Sequence, residues 1–78
     1  MKREQLNRIV GDELDHIPRG PKGSAQNEFR LVYNRRRRVD LGRDPSTPRK
    51  ESVQRAAQSV TAYNPGFEPE YDTQYFEA

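Results

Sequence analysis

The sequence predicts a mostly α-helical chain with extended segments and little independent core. Two short helices, at about 3–16 and 48–62, are expected to be joined by an extended or strand-like middle and followed by an extended C-terminal tail. Three observations lead to this fold class. Only 31% of the 78 residues are apolar, two segments have helical apolar spacing, and proline and glycine interrupt the remainder. Average soluble domains contain about 45–50% apolar residues when glycine is counted.

The composition leaves few sources of stability for an isolated chain. There is no cysteine, so neither a disulfide nor a thiolate metal site can replace a small core. Ordering the backbone costs roughly 1–2 kcal/mol per residue. We therefore expect a partly disordered chain that folds upon binding to a partner.

The first predicted element is an amphipathic helix within residues 1–17. Its apolar residues recur at spacings of three and four, which places them on one stripe with charged residues on the other faces. Pro18 ends the helix because it disfavours helical backbone at the preceding residue. The stripe is predicted to dock on a partner through Leu6, Ile9, Val10 and Leu14.

A flexible linker is predicted at 18–28, and a basic extended or strand segment at 29–47. The linker "PRGPKGSAQNE" contains two prolines and two glycines, but it lacks the spacing of a glycine-rich phosphate cradle. Phe29, Leu31 and Tyr33 alternate with polar or smaller residues, which is strand periodicity. Val39 and Leu41 would extend this strand or return as the second arm of a hairpin across the arginines. Alternatively, the strand is an edge strand that pairs with a sheet of a partner.

The second helix, 48–62, is predicted from its start signal and its apolar seam. Thr47 is the expected N-cap and Pro48 the first helical residue. The sequence Asn64-Pro65-Gly66 ends the helix. "TPRK" at 47–50 also matches the pattern of proline-directed phosphorylation, but helix capping accounts for the same residues, so modification of Thr47 stays the weaker alternative.

The C-terminal tail, 63–78, combines acidic residues with five of the seven aromatic side chains. Aromatic residues are favoured as interface anchors, whereas disordered tails are depleted in them. The tail is therefore predicted to bind a partner through Tyr63, Phe67, Tyr71, Tyr75 and Phe76. "NPGF" at 64–67 resembles turns that adaptor domains bind, although Asn-Pro-Gly forms turns in many contexts.

Charge divides the chain into a basic body and an acidic tail. Residues 1–55 carry all 14 Lys and Arg against eight acids, a net charge of +6, and residues 56–78 carry a net charge of −4. The basic positions predicted to contact protein or nucleic acid are Arg30, Arg35, Arg36, Arg37, Arg38 and Arg43. Protein docking through carboxylates is favoured. Phosphate binding, with Tyr33 or Phe29 stacked on a base, is the alternative, and a solvated basic face is the third interpretation.

No catalytic, cofactor or metal site is expected. His16 is the only histidine, and Asp12, Glu13 and Asp15 nearby supply no second nitrogen ligand. No nucleophile–base pair is evident, and neither a cofactor nor a small-molecule substrate is predicted. Neither a signal peptide nor a membrane span is evident, which favours an intracellular location, in the cytoplasm or within a large assembly.

The leading hypothesis is a small non-enzymatic accessory or assembly subunit, a linker or adaptor that binds along the surface of a larger protein complex. The first alternative is an RNA- or DNA-binding protein that uses the arginine-rich segment 30–50. The second is a small regulator or inhibitor that inserts its C-terminal tail into a target protein. The identity of the partner and the oligomeric state do not follow from the residues.

Overall fold

The computed structural model describes all 78 residues and contains four helices and no strand. The elements are α1 (Arg3–Leu14), α2 (Ala25–Arg43), α3 (Arg49–Thr61) and α4 (Thr73–Glu77). α1 and α3 lie within the two segments for which the sequence predicts helices. α2 packs against both of them, and α4 packs against α3. α2 is therefore the element around which the chain is organised.

The prediction of an extended or strand-like middle is wrong, because 25–43 is the longest helix. Alternation at Phe29, Leu31 and Tyr33 suggests period two. The burial pattern instead has period four, with Phe29, Tyr33, Arg37 and Leu41 all buried on one face. The third member of that stripe is an arginine. A search for apolar periodicity does not register a charged residue at a core position.

α2 begins and ends at recognisable signals. Ser24 is the N-cap, and its Oγ accepts a hydrogen bond from the backbone N–H of Asn27 at 3.1 Å. Gly23 precedes the cap with φ of +82°, a conformation that glycine adopts without strain. At the other end Pro45 follows Asp44, which is extended and closes the helix. The glycines of "PRGPKGSAQNE" therefore serve the connection between α1 and α2.

The expectation of little independent core is also wrong. One cluster of buried side chains draws on the α1–α2 connection and on the three later helices, and its fully or almost fully buried members are Ile17, Phe29, Tyr33, Val53, Ala56, Val60 and Phe76. Small residues on α3 allow that helix to approach the large rings of α2 closely. Few apolar residues suffice because most of the large ones are buried or half-buried, and only Met1, Leu31, Val39 and Tyr63 are largely exposed.

The predicted extended tail and the expectation of a partly disordered chain are wrong as well, because the C-terminal segment folds back onto the chain. Gln26 binds both backbone groups of Glu70: its Nε2 donates to the Glu70 oxygen and its Oε1 accepts from the Glu70 nitrogen, each at 2.9 Å. The Asp72 nitrogen donates to the oxygen of His16 at 3.0 Å. These contacts fix the tail across the start of α2.

Aromatic packing then anchors α4. The ring of Phe76 is fully buried and meets Tyr33, Tyr71 and Tyr75 edge-on, at centroid distances of 5.5, 5.6 and 5.0 Å. Edge-to-face contacts of this kind are favourable beyond the area that they bury. The aromatic residues of the tail therefore complete the core of their own chain.

None of the four helices combines the length and the apolar character that a bilayer crossing requires.

We predict that Phe76→Ala destabilises the fold by about 3–5 kcal/mol, because it leaves a cavity where a fully buried ring packs. Tyr63→Ala is the matched control, since Tyr63 is 87% exposed, and its effect should stay within about 0.5 kcal/mol. Urea denaturation followed by circular dichroism measures both. Equal, small effects would contradict the placement of the tail in the core.

Candidate functional site

The helical geometry of α2 divides the four consecutive arginines between the interior and the surface. Successive residues of an α-helix are about 100° apart around the axis, so four neighbours cannot share one face. Arg35 and Arg36 are exposed, Arg38 is half-buried, and Arg37 is only 5% exposed. The arginine block is therefore not a single basic patch.

Arg37 forms a two-pronged ion pair with Glu13 of α1. Its Nε donates to Oε1 at 2.9 Å, and its Nη2 donates to Oε2 at 3.2 Å. Glu13 is itself only 4% exposed. A bidentate arginine–carboxylate pair is the strongest form of this interaction and fixes the relative orientation of its partners. The pair joins α1 to α2 inside the fold.

The same guanidinium reaches the start of α3. Its Nη1 donates to the backbone oxygen of Thr47 and to Oγ of Ser52, both at 2.9 Å. Ser52 in turn donates to Oδ2 of Asp40 at 2.8 Å, and Asp40 faces Arg55 at 3.7 Å. Every buried side-chain nitrogen and oxygen has a hydrogen-bond partner, as a buried polar network requires.

Tyr33 is the third group that binds Glu13. Its hydroxyl donates to Oε1 at 2.8 Å, and its ring is fully buried. Burial, followed by the adjacent Glu13 charge and this hydrogen bond, raises the pKa of the Tyr33 phenol well above its usual value. The neutral phenol is therefore the form that the folded chain holds.

Two further arginines of the basic segment have partners within the chain. Arg30 donates from Nε to the oxygen of Ile17 at 3.1 Å and from Nη2 to the oxygen of Leu14 at 3.3 Å. These acceptors lie at and beyond the C-terminal end of α1, where cations are favoured. Arg38 contacts Asn34 at 3.1 Å and also binds the side-chain oxygen of Asn7.

What stays outside is a mixed basic and apolar surface, here termed the α2 outer face. It comprises residues of one helix flank: Leu31, Val32, Arg35, Arg36, Val39 and Arg43. Val32 is half-buried and also packs against the core. Leu31 is 44% and Val39 is 52% exposed, and five of the six line or flank one shallow depression. At 100° per residue the set spans an arc of about 140°.

The cations of this face are largely free of partners in the chain. Arg36 and Arg43 have no carboxylate oxygen within 4.0 Å, and Arg35 meets only the exposed Glu28, at 3.6 Å. An exposed pair of this kind contributes little stability. The three guanidinium groups are therefore available to an external anion.

Carboxylates lie beside the arginines along the edge of the face that is nearest α3. Arg36 and Arg43 also border a groove between α2 and α3 whose other walls are Asp40, Asp44, Thr47, Glu51 and Arg55. Hydrogen bonds from the Ser46 side chain and backbone lower the pKa of Asp44, so this carboxylate is ionised. Arg55 pairs with Asp40 and Glu51 in this groove, so the acidic border of the face is the Asp44 carboxylate.

The remaining residues predicted to bind partners lie mostly within the fold. Val10 is buried, and Leu6, Ile9 and Leu14 are half-buried; Leu14 packs against the core. In the tail Phe76 is buried, Phe67, Tyr71 and Tyr75 are half-buried, and only Tyr63 is largely exposed. None of these positions adjoins the depression on the α2 outer face.

The weaker motifs have local structural roles. Thr47 lies before the N-cap of α3, which is Pro48, and its hydroxyl donates to the oxygen of Asp44 at 2.7 Å. "NPGF" forms the turn after α3, with Gly66 at φ of +89°. His16 stacks on Tyr75 at 3.6 Å and meets Asp72 at 3.3 Å. No group of three or more His, Cys, Asp or Glu side chains is placed to hold a metal ion.

Sequence reasoning did not assign Leu31, Val32 or Val39 to a binding surface. The strand hypothesis gave them alternating faces, whereas in α2 they lie beside the exposed arginines. Glu13 was placed on the solvent side of α1, although it is the buried partner of Arg37. The sequence signal for α2 is an N-cap residue, Ser24, followed by large residues at every fourth position: Phe29, Tyr33, Arg37 and Leu41.

In comparisons with known proteins, no family model, no curated protein and no solved structure matches this chain.

We predict that the free energy of unfolding falls as the pH rises above about 10, the ordinary pKa of tyrosine. The folded state keeps the Tyr33 proton that the unfolded chain loses, so the folded state binds more protons and each pH unit costs up to about 1.4 kcal/mol per proton. Urea titrations of wild type and Tyr33→Phe between pH 9 and 11.5 measure this dependence. The variant should show the shallower slope, and parallel slopes would contradict the assignment.

Proposed function

We propose that the protein is a small non-enzymatic accessory subunit that docks onto a larger protein through the α2 outer face. The observation that supports this proposal is the alternation of exposed aliphatic side chains with arginines on that one face: Arg36 and Arg43 have no ion-pair partner, and Arg35 meets only the exposed Glu28. Arginine and apolar residues together are typical of protein interfaces, in which an apolar centre is surrounded by charged groups. The partner then carries carboxylates opposite the arginines.

Nucleic-acid binding is less well supported. Sequence-tolerant binding to single strands combines cations with aromatic side chains on which bases stack. Phe29 and Tyr33, the aromatic residues within the basic segment, are fully buried. The exposed side chains between the arginines are aliphatic, and the Asp44 carboxylate borders the face on the α3 side. A phosphate chain that follows the helix surface would meet this carboxylate.

A tail that inserts into a target is also less well supported. Phe76 is fully buried in the core, and the Asp72 nitrogen binds the His16 oxygen. Presenting the aromatic residues to another protein therefore requires α4 to leave its own core. The α2 outer face needs no such rearrangement.

The proposal predicts that reversing the charge of the α2 outer face abolishes partner capture. Tagged wild type and the Arg35→Glu, Arg36→Glu, Arg43→Glu variant are used to capture proteins from nuclease-treated native lysate. A specific protein retained by wild type should be reduced at least about tenfold with the variant, equivalent to about 1.4 kcal/mol. Quantitative mass spectrometry gives the ratio.

A matched control carries the same change in charge elsewhere: Arg3→Glu, Arg8→Glu, Lys50→Glu, all at exposed positions. It should retain the same protein, and circular dichroism verifies that both variants fold. Equal loss with both variants would show a general charge effect and contradict the proposal. A parallel capture from untreated lysate is compared, and a protein retained only without nuclease would instead favour the nucleic-acid alternative.

A further inference from the structure

We infer that the element that the α2 outer face binds is an acidic amphipathic helix of the partner protein. This inference rests on the proposed function and specifies the chemistry of its partner. It follows from the order of side chains along α2, from their charge, and from the shape of the face. The inference assigns a definite binding role to Leu31, Arg35, Val39 and Arg43.

These four residues form one ridge with a regular order. They are spaced by four along the sequence, so they lie in a row that extends about 18 Å along the helix at 1.5 Å per residue. The row alternates apolar and basic: leucine, arginine, valine, arginine. Val32 and Arg36 form a shorter parallel row with the same alternation. A partner must therefore offer apolar contacts and carboxylates at alternating intervals of about 6 Å.

The positive charge of the outer face requires a negatively charged partner surface and disfavours a second copy of this chain as the partner. The outer face presents three arginines, and the only acid that meets one of them is Glu28 at the N-terminal end. Two copies packed through the same face would bring like charges together, which is unfavourable when water is excluded. An acidic surface instead satisfies the arginines through charge-assisted hydrogen bonds.

The shape of the face favours a helix as the bound element. The exposed flank carries one shallow depression beside its ridge, and ridges of residues spaced by four on one helix pack into the grooves of another. A helix of the partner also repeats its side chains every three or four residues, which matches the spacing of the apolar and basic positions. An extended strand would need an open sheet edge, and the described chain contains no strand. The bound element of the partner is therefore a helix that packs against α2.

The acidic border on the α3 side limits where the partner helix lies. Asp44 stands beyond Arg36 and Arg43, whereas Glu51 and Asp40 are paired with Arg55. The Asp44 carboxylate therefore repels an acidic helix at that edge and favours the Leu31–Arg43 ridge. All three arginines of the face lie from Arg35 onward. The carboxylates of the partner helix are therefore concentrated opposite the C-terminal half of α2.

The test uses full-length protein and three synthetic peptides of about 18 residues. The first is an acidic amphipathic helix with leucines on one stripe and glutamates beside it. The second has the same composition, with leucine and glutamate rearranged so that they share no face. The third replaces every glutamate of the first with glutamine. Fluorescence anisotropy gives affinities, and amide chemical shifts locate the binding surface.

The inference predicts that the first peptide binds at least about tenfold more tightly than the second or third, with shifts concentrated at 31–43. Arg35→Glu should weaken its binding about tenfold and Val39→Ser about fivefold, whereas Lys50→Glu should have no such effect. Equal binding of the first two peptides, shifts outside α2, or no binding would overturn the inference. Tighter binding of an RNA duplex at the same residues would also overturn it.

Failure of this inference is distinguishable from failure of the proposed function. Hydrogen exchange identifies the segment of the captured protein that becomes protected in the complex. If capture depends on Arg35, Arg36 and Arg43 but that segment is a loop or a strand, the docking function is retained and the helical partner is wrong. If neither the peptide nor any captured protein depends on these arginines, both proposals are wrong.

Discussion

The ion pair between Arg37 and Glu13 is the interaction on which the arrangement of the helices depends. It joins α1 to α2, and its remaining donors reach the backbone of Thr47 and the side chain of Ser52 at the start of α3. In a chain with so few apolar residues, such a network fixes the relative positions of the helices, because only one arrangement gives every buried polar group a hydrogen-bond partner. Removing one member would leave a buried charge without compensation, which costs several kcal/mol.

Because Arg37 is buried in this ion pair, the arginines next to it in the sequence lie at the surface. Once Arg37 points inward, helical geometry directs Arg35, Val39 and Leu31 outward, and Arg36 and Arg43 lie beside them. The phenol of Tyr33 and the carboxylate of Asp40 occupy the inner side with Arg37. The proposed docking surface is therefore a consequence of the buried network, and both are encoded in one nineteen-residue helix.

Local signals were sufficient for α1 and α3, whose apolar stripes follow helical spacing and whose ends carry proline or turn residues. They were insufficient for α2, because Arg37 occupies a core position and its partner, Glu13, is 24 residues away in sequence. The folded tail depends on contacts between residues still farther apart, such as Gln26 with Glu70. The basic segment is evident in the sequence. Which of its arginines are buried and which are exposed depends on the pairing of Arg37 with Glu13 in the folded chain.

A double-mutant cycle on Glu13 and Arg37 tests this account most directly. Unfolding free energies are measured for wild type, Glu13→Gln, Arg37→Met and the double variant, with Arg36→Met as the exposed control. The account predicts that each single change at the pair is strongly destabilising, that the two couple by about 2 kcal/mol, and that Arg36→Met stays within about 0.5 kcal/mol. Additive effects at Glu13 and Arg37, or equal effects of Arg36→Met and Arg37→Met, would contradict it.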